Sequence, residues 1–552
     1  MKHSFAWSVS VVVCATPFLL SLAPAIDAQE PAQSSCDQFL LRAREVKGRS
    51  VGPTSCQMLE STLMYQGQSF RRVDIGLDGT VEGYVAKTGA YKEYLTNAPE
   101  LVFPQAGNPG PIFFGVANYE KSKGAAMTVI YPSDKSAWNG KMFVTVHGRG
   151  RAFKDGSLKT WNKNLNPSDP LADVNKYDKL WLSKGYVLVK TYRTSTEGLG
   201  EIKTTLEDGT VVDYAAFNDN ARYIMDFSDV AKNMIIQRLG QAPRLTYIYG
   251  HSAGARITHD LNYSPALNVG RDGKRYFDGI LADDTAAGTW LPVLMKDGKD
   301  VLFATEAEKA PFVPMLDITH QMYNAIWDQK TMPAYMSSSF LENKRKNAKI
   351  LRDKGLSPAK ERMYEIVSIS HMGGESPPQG VGVENLDLSR MMDRFIDILD
   401  AWVDKDVNPP ATHSDWTELG DVNGDGVIEN PALLFPEVAC PLGVYFPWPA
   451  SGAGDISFAA FTGQGLEPLD AKKVFVDMNR NGVWDFRETP TAAWQRLGLL
   501  QKNETLTREK YVSCVQKAAE QLYREGFFSQ NTAAWYLDQA RKEDLQPKMD
   551  RR

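Results

Sequence analysis

A chain of 552 residues is long enough for roughly three or four domains. Its 43% apolar and 23% charged content is that of a globular protein and excludes a mainly disordered one. The 62 Lys and Arg face 67 Asp and Glu, a net charge of −5. That sign argues against a nucleic-acid partner, because like charge is repelled by a phosphate backbone.

The chain opens with Lys2, an apolar run from Phe5 to Ala25, and small residues up to Ala28 before Gln29. This is the order of an export signal, so residues 1–28 are expected to be removed and the mature protein to be periplasmic or secreted. No later stretch is apolar for long enough to cross a bilayer, so no membrane span is expected in the mature chain. Cys14 goes with the signal, leaving Cys36, Cys56, Cys440 and Cys514. An even number in an oxidising compartment predicts disulfides, and proximity along the chain favours Cys36 with Cys56 and Cys440 with Cys514.

Residues 29–110 are polar and punctuated by Gly and Pro, and read as an N-terminal extension tied down by a disulfide. From Pro111 short apolar segments alternate with helical ones. Phe113 to Tyr119, Ala126 to Tyr131, Met142 to Val146, Tyr186 to Thr191, Leu245 to Tyr249, Gly279 to Ala282, Phe312 to Thr319 and Tyr364 to Ser370 have strand composition. Ala221 to Leu239 and Leu388 to Val403 space their apolar residues as helix faces. The alternation predicts an α/β protein with a mainly parallel sheet, helices on both faces and an antiparallel start. Pro409 and Pro410 mark its end. The expected domains are 111–412, with insertions at 151–182 and 285–363, and a loop-rich C-terminal region at 413–552. That region closes with helices from about Thr507 to Glu525 and Asn531 to Lys542.

Gly250-His251-Ser252-Ala253-Gly254 falls between a predicted strand and a predicted helix. In such a turn only small residues fit beside the serine, which is presented at the sheet edge and at a helix start where developing negative charge is favoured. Ser252 is the expected nucleophile. Upstream, the strand ending at Val146 runs into His147-Gly148-Arg149-Gly150, where glycines let backbone amides turn inward towards an oxyanion. The amide of Ala253, with that of Gly148 or Arg149, would supply the two donors.

Between Pro111 and Val403 the ordered strands, His147-Gly148-Arg149-Gly150 and Gly250-His251-Ser252-Ala253-Gly254 resemble an α/β-hydrolase of the esterase and lipase type. The resemblance implies a Ser-His-acid triad in the chain order serine, acid, histidine, and an acyl-enzyme, with no cofactor for catalysis. Of seven histidines, His371 directly follows the last predicted strand, where the family's general base sits; His320 is the other one not tied to a motif, the nucleophile helix or the flanks. The acid stays open. Asp317 lies near the end of one strand, and Asp283 and Asp284 end the preceding one. Trp161, Trp290, Tyr323, Trp327 and Tyr335 on the insertions suggest a bulky, uncharged ester, small or polymeric.

Two stretches carry calcium-loop spacing. Asp477, Asn479, Asn481, Val483, Asp485 and Glu488 fill every ligand position of a twelve-residue loop, with Gly482 at its sharp turn. Asp421, Asn423, Asp425, Val427 and Glu429 begin the same pattern, but its twelfth position is Ala432. Structural Ca2+ is expected. The sequence therefore predicts an exported serine esterase. Its rivals are a peptidase or amidase with the same triad, and a calcium-dependent binding or scaffold protein on an inactive hydrolase fold.

Overall fold

The computed structural model describes residues 35–38, 56–80, 123–147, 174–192, 215–251, 253–263, 268–270, 272–284, 313–320, 360–367, 386–415, 420–442 and 490–545, with a few shorter pieces between them. The strands are β1 (Cys56–Tyr65), β2 (Gln68–Thr80), β3 (Lys123–Pro132), β4 (Lys141–His147), β5 (Val187–Tyr192), β6 (Leu245–His251), β7 (Gly279–Asp283), β8 (Met315–His320) and β9 (Glu361–Ile366). They form one nine-stranded sheet in the order β1-β2-β3-β5-β4-β6-β7-β8-β9. The first four neighbours pair antiparallel, and every pair from β5 and β4 onwards is parallel. Helices α1 (Lys176–Ser183) and α4 (Ser389–Lys405) cover one face, while α2 (Ala215–Leu239) and α3 (Ala253–Tyr263) pack together on the other. An antiparallel entry, one exchange of neighbouring strands and a run of parallel crossovers make up the α/β-hydrolase fold.

The sheet begins earlier than its apolar texture suggested. Cys56–Thr80, expected to belong to an extension, supplies its first two strands. Phe113 to Tyr119, expected to open the sheet, lies outside the described residues. The hairpin is hard to read from sequence because two of its inward positions, 72 and 74, are charged. Arg72 and Asp74 are buried in β2, joined by a two-point ion pair of 2.8 and 3.0 Å, and Thr128 of β3 donates to the same carboxylate at 2.6 Å. A charge pair at i and i+2 satisfies itself but breaks the apolar alternation that marks a strand. Its turn did leave a signal: Gln66 and Gly67 take φ of 49° and 76°, the pair of left-handed residues that a two-residue hairpin needs.

Helix α4 shows why the rest was legible. Met391, Met392, Phe395, Ile396, Ile398, Leu399 and Trp402 are all buried, spaced so that one stripe faces the sheet. Each such side chain contributes about 1.5–3 kcal/mol on leaving water. The helix stops at Asp406, whose φ of 55° turns the chain away while its amide returns to Ala401 O.

Beyond Pro409-Pro410 the chain continues along the outer edge of β9. His413 and Leu433 bridge to Tyr364 and Ile366, so the last parallel strand is covered. Phe527 stacks edge-on against Tyr364, 5.0 Å between centroids, and shares the core of α4. Helices α5 (Arg508–Arg524) and α6 (Gln530–Lys542) pack as a hairpin, close to the expected spans. Both expected disulfides are formed, Cys36–Cys56 and Cys440–Cys514. The second closes 74 residues, which in the chain-entropy model is worth about 4 kcal/mol. Such bonds persist in oxidising, extracellular or periplasmic surroundings. Among the described residues no helix is long and apolar enough to cross a membrane.

Candidate active site

Strand β6 ends at His251 and α3 starts at Ala253, so a single position separates strand from helix. The two glycines of the motif are where the backbones close on each other. A Cβ on Gly250 would collide with the carbonyl of Gly254, at 2.5 Å from its carbon, and would lie 2.7 Å from Thr258 Cγ2. One on Gly254 would run into the carbonyl oxygen of Val146 in β4. Neither position has room for any other residue, which is the steric demand of a tight strand-to-helix turn. Val146 is also the register partner of Gly250, so the end of β4 stands directly beside the turn. The backbone of Ala253 opens α3, where unpaired amides gather. Ser252, Gly148 and Arg149 lie outside the described residues.

The carboxylates separate into two settings. Asp317 sits in the middle of β8, between Ala282 of β7 and Met363 of β9, on the sheet face that meets α3. It is buried and three residues short of the strand end. Asp283 is the last residue of β7, in register with His251. Asp284 follows with φ 45°, a left-handed conformation that costs a non-glycine residue about 1–2 kcal/mol. Its amide donates to Ile318 O at 2.8 Å, which holds that turn in place.

These two aspartates meet His320, the last residue of β8. His320 Nε2 lies 3.0 Å from Asp283 Oδ1, and its Nδ1 lies 3.3 Å from Asp284 Oδ2. The amide of His320 donates to Asp284 Oδ1 at 3.0 Å. Tyr249 donates its hydroxyl to Asp283 Oδ2 at 2.6 Å. All three side chains are at most 1% exposed. Trp181 of α1 lies over Tyr249, 5.0 Å between ring centroids, closing the cluster from that face. Burial pushes Asp284 up to about 7, with the charge of Asp283 adding to it against the pull of His320. Burial acts on Asp283 too, but the charge and hydrogen bond of His320, with His251 and Tyr249, hold it below the ordinary carboxylate range. His320 had no assigned role in the sequence. The signal that could have found it is a pair of aspartates ending one strand and a histidine ending the next parallel one.

His371 lies outside the described residues, five positions beyond the end of β9. Two residues after it, Gly373 is described, with φ 56°. Its carbonyl accepts from Tyr177 of α1 at 3.2 Å and from the Leu388 amide at 2.9 Å, and a Cβ there would strike the Tyr177 hydroxyl. Gly373 is thus anchored by α1 and by the entry to α4.

Away from the sheet, Asp421, Asp425 and Glu429 bring one carboxylate oxygen each to within 4.8 Å of one another. Asp421 accepts the amides of Gly424, Asp425 and Gly426, and Gly424 and Gly426 turn with φ of 79° and 88°. Glu429 accepts from the Val422 amide and from Asn423 Nδ2. Three converging carboxylates suit a hard cation. The twelfth position offers none: Ala432 is buried and its amide donates to Asp415. The complete loop at 477–488 lies outside the described residues, as do Trp161, Trp290, Tyr323, Trp327 and Tyr335.

No protein-family model matches this sequence, and no curated protein does. Solved structures do resemble the chain in its course. One is feruloyl esterase B from Aspergillus oryzae, 10% identical, covering 71% of this chain and 94% of that one with a TM-score of 0.29. Another is LpqC, a poly(3-hydroxybutyrate) depolymerase from Bordetella parapertussis, 12% identical over 69% and 97%, TM-score 0.28. A third is esterase B from Lactobacillus Rhamnosis, 13% identical over 44% and 70%, TM-score 0.26.

Proposed function

We propose that this protein is an exported serine hydrolase that cleaves carboxylic esters through an acyl-enzyme. The observation that carries the reading is the turn at 250–254, where two glycines have no space for a side chain at the ends of the parallel strands. Ser252 Oγ attacks the ester carbonyl while His371 takes its proton. The oxyanion that forms is held by the amides of Ala253 and of Gly148 or Arg149. Collapse of the tetrahedral intermediate expels the alcohol, which receives the proton from His371. Water, deprotonated by the same imidazole, then attacks the acyl-enzyme and frees the acid and Ser252. The carboxylate that orients His371 comes from Asp283 and Asp284, which reach the strand end where Asp317 does not. The substrate is an uncharged ester, small or polymeric. Ca2+ takes a structural part at Asp421, Asp425 and Glu429, and at the loop of Asp477 to Glu488, staples far along the chain from Ser252.

Labelling with a fluorophosphonate probe tests the reading. The wild-type protein is expected to be labelled and to hydrolyse short p-nitrophenyl esters, and Ser252→Ala to lose both, with at least a 10⁴-fold fall in kcat and an unchanged circular dichroism spectrum. Turnover retained by Ser252→Ala would remove the proposal. Matched amide substrates hydrolysed as fast as the esters would make the protein a peptidase or amidase instead.

A further inference from the structure

We propose that His320 is a positioning residue: it holds Asp283 and Asp284 together at the end of β7 as a cation between two carboxylates, and so sets the acid that serves the triad. The inference rests on the ester-hydrolase reading above and adds to it a residue that does not touch the substrate.

The geometry requires a proton count. A neutral imidazole has one N–H donor and one bare acceptor nitrogen. Here both ring nitrogens face carboxylate oxygens, at 3.0 and 3.3 Å, and at pH 8, above the raised value of Asp284, both groups are ionised and only accept. Two such contacts are attractive together when both nitrogens carry hydrogen, that is, when the ring is an imidazolium. Burial argues for the same state. Two fully buried carboxylates side by side repel each other and lack water, and one enclosed cation offsets much of that cost. Among the described residues, the groups facing the pair are Tyr249 and His251 from β6 and His320 from β8, with Tyr177 and Trp181 from α1 packed over Tyr249. The result is a rigid unit, Tyr249–Asp283–His320–Asp284, tied further by the His320 amide on Asp284. It spans three parallel strand ends, from the strand that leads into Ser252 towards the strand that precedes His371. Asp283 keeps lone pairs beyond its bonds to Tyr249 and His320, since a carboxylate can accept about four. One of them remains able to accept the His371 N–H.

The chemistry also explains the left-handed Asp284. Its backbone turns so that its carboxylate doubles back to the His320 amide and ring at once, a conformation that these two contacts and the Ile318 bond hold in place.

The full-length protein carrying ¹⁵N-labelled histidine tests the charge state. At pH 8, where an ordinary histidine is neutral, one ring is expected to keep both N–H groups, and that signal is expected to vanish in His320→Gln. A ring at 320 with one bare nitrogen at pH 8 would overturn the inference. Kinetics test the role. His320→Gln keeps a donor but no charge. It is expected to lower kcat about 10²-fold with KM within about threefold. The acidic limb of its pH–rate profile is expected to move up by about one pH unit, since the cation no longer holds the carboxylate down. If that variant does not fold, Tyr249→Phe removes a single bond to Asp283, and kcat is expected to fall about threefold to tenfold with the same direction of pH shift. Labelled wild type together with a folded His320→Gln of normal kcat and pH profile would sink the role of His320 alone. Wild type that ignores the fluorophosphonate probe would sink the hydrolase reading itself.

Discussion

The two ends of the parallel strands each carry a cluster of charge, built in opposite ways. At the amino ends, Lys141 of β4 and Arg244 meet Asp400 and Asp404 of α4. Lys141 Nζ lies 2.6 Å from Asp400 and 2.9 Å from Asp404, and Tyr247 donates to Asp400 at 2.7 Å. Two cations balance two anions, and water reaches the set: Arg244 is 54% and Asp404 17% exposed. At the carboxyl ends, two carboxylates share one imidazole with almost no exposure. The first arrangement stabilises the fold by fastening α4 to the sheet. The second is held against the preference of a buried carboxylate for neutrality, which is how a group is prepared for proton chemistry rather than for stability.

Acidity separates the two clusters by sign. The Arg244 hydrogen bond, with Lys141 next, holds Asp404 well below the ordinary carboxylate range. A carboxylate lowered on folding contributes stability that is present above its unfolded pKa, near 4, and is lost as pH falls through the folded value. Asp284 is raised to about 7, so its burial favours the folded state below pH about 4 and loses that advantage as pH rises towards 7.

The largest expected difference is in turnover. Asp283→Asn or Asp284→Asn is expected to lower kcat by about 10²–10⁴-fold, while Asp317→Asn stays within about tenfold, measured on one p-nitrophenyl ester. The reverse ranking would move the acid to mid-strand Asp317. Next comes stability against pH. Asp404→Asn is expected to lose about 1–3 kcal/mol at pH 7 and to flatten the acid limb of the unfolding curve below pH 4. Asp284→Asn is expected to melt no lower than wild type at pH 8 although it is nearly inactive. Equal destabilisation of both at pH 8 would erase the contrast between the two ends. The smallest effect concerns calcium. A chelator is expected to lower the melting temperature by a few degrees while initial activity persists, and immediate loss of activity with the fold intact would place the ion in the active site.

Legibility in the sequence followed the range of the interactions. The stripe on α4 is periodic over a few turns, so six of its seven buried residues from Met391 to Trp402, all but Ile396, are legible in the spacing. The strand of Leu245 and the turn after it are equally local. The hairpin at Cys56–Thr80 was hidden because Arg72 and Asp74 satisfy each other inside the sheet and pass for surface residues. His320 was hidden for a similar reason: its partners lie 36 and 37 positions away, on the next strand.

What the amino-acid order determined by itself is the turn at 250–254, because steric exclusion of a side chain acts between neighbours and leaves glycine as the sole solution. It also determined the alternation that makes a parallel sheet. The different settings of Asp283, Asp284 and Asp317 were decided only in three dimensions. Pleat and register place Asp283 beside His251 and turn Asp317 to the other face, and register is a property of paired strands, which no single strand contains.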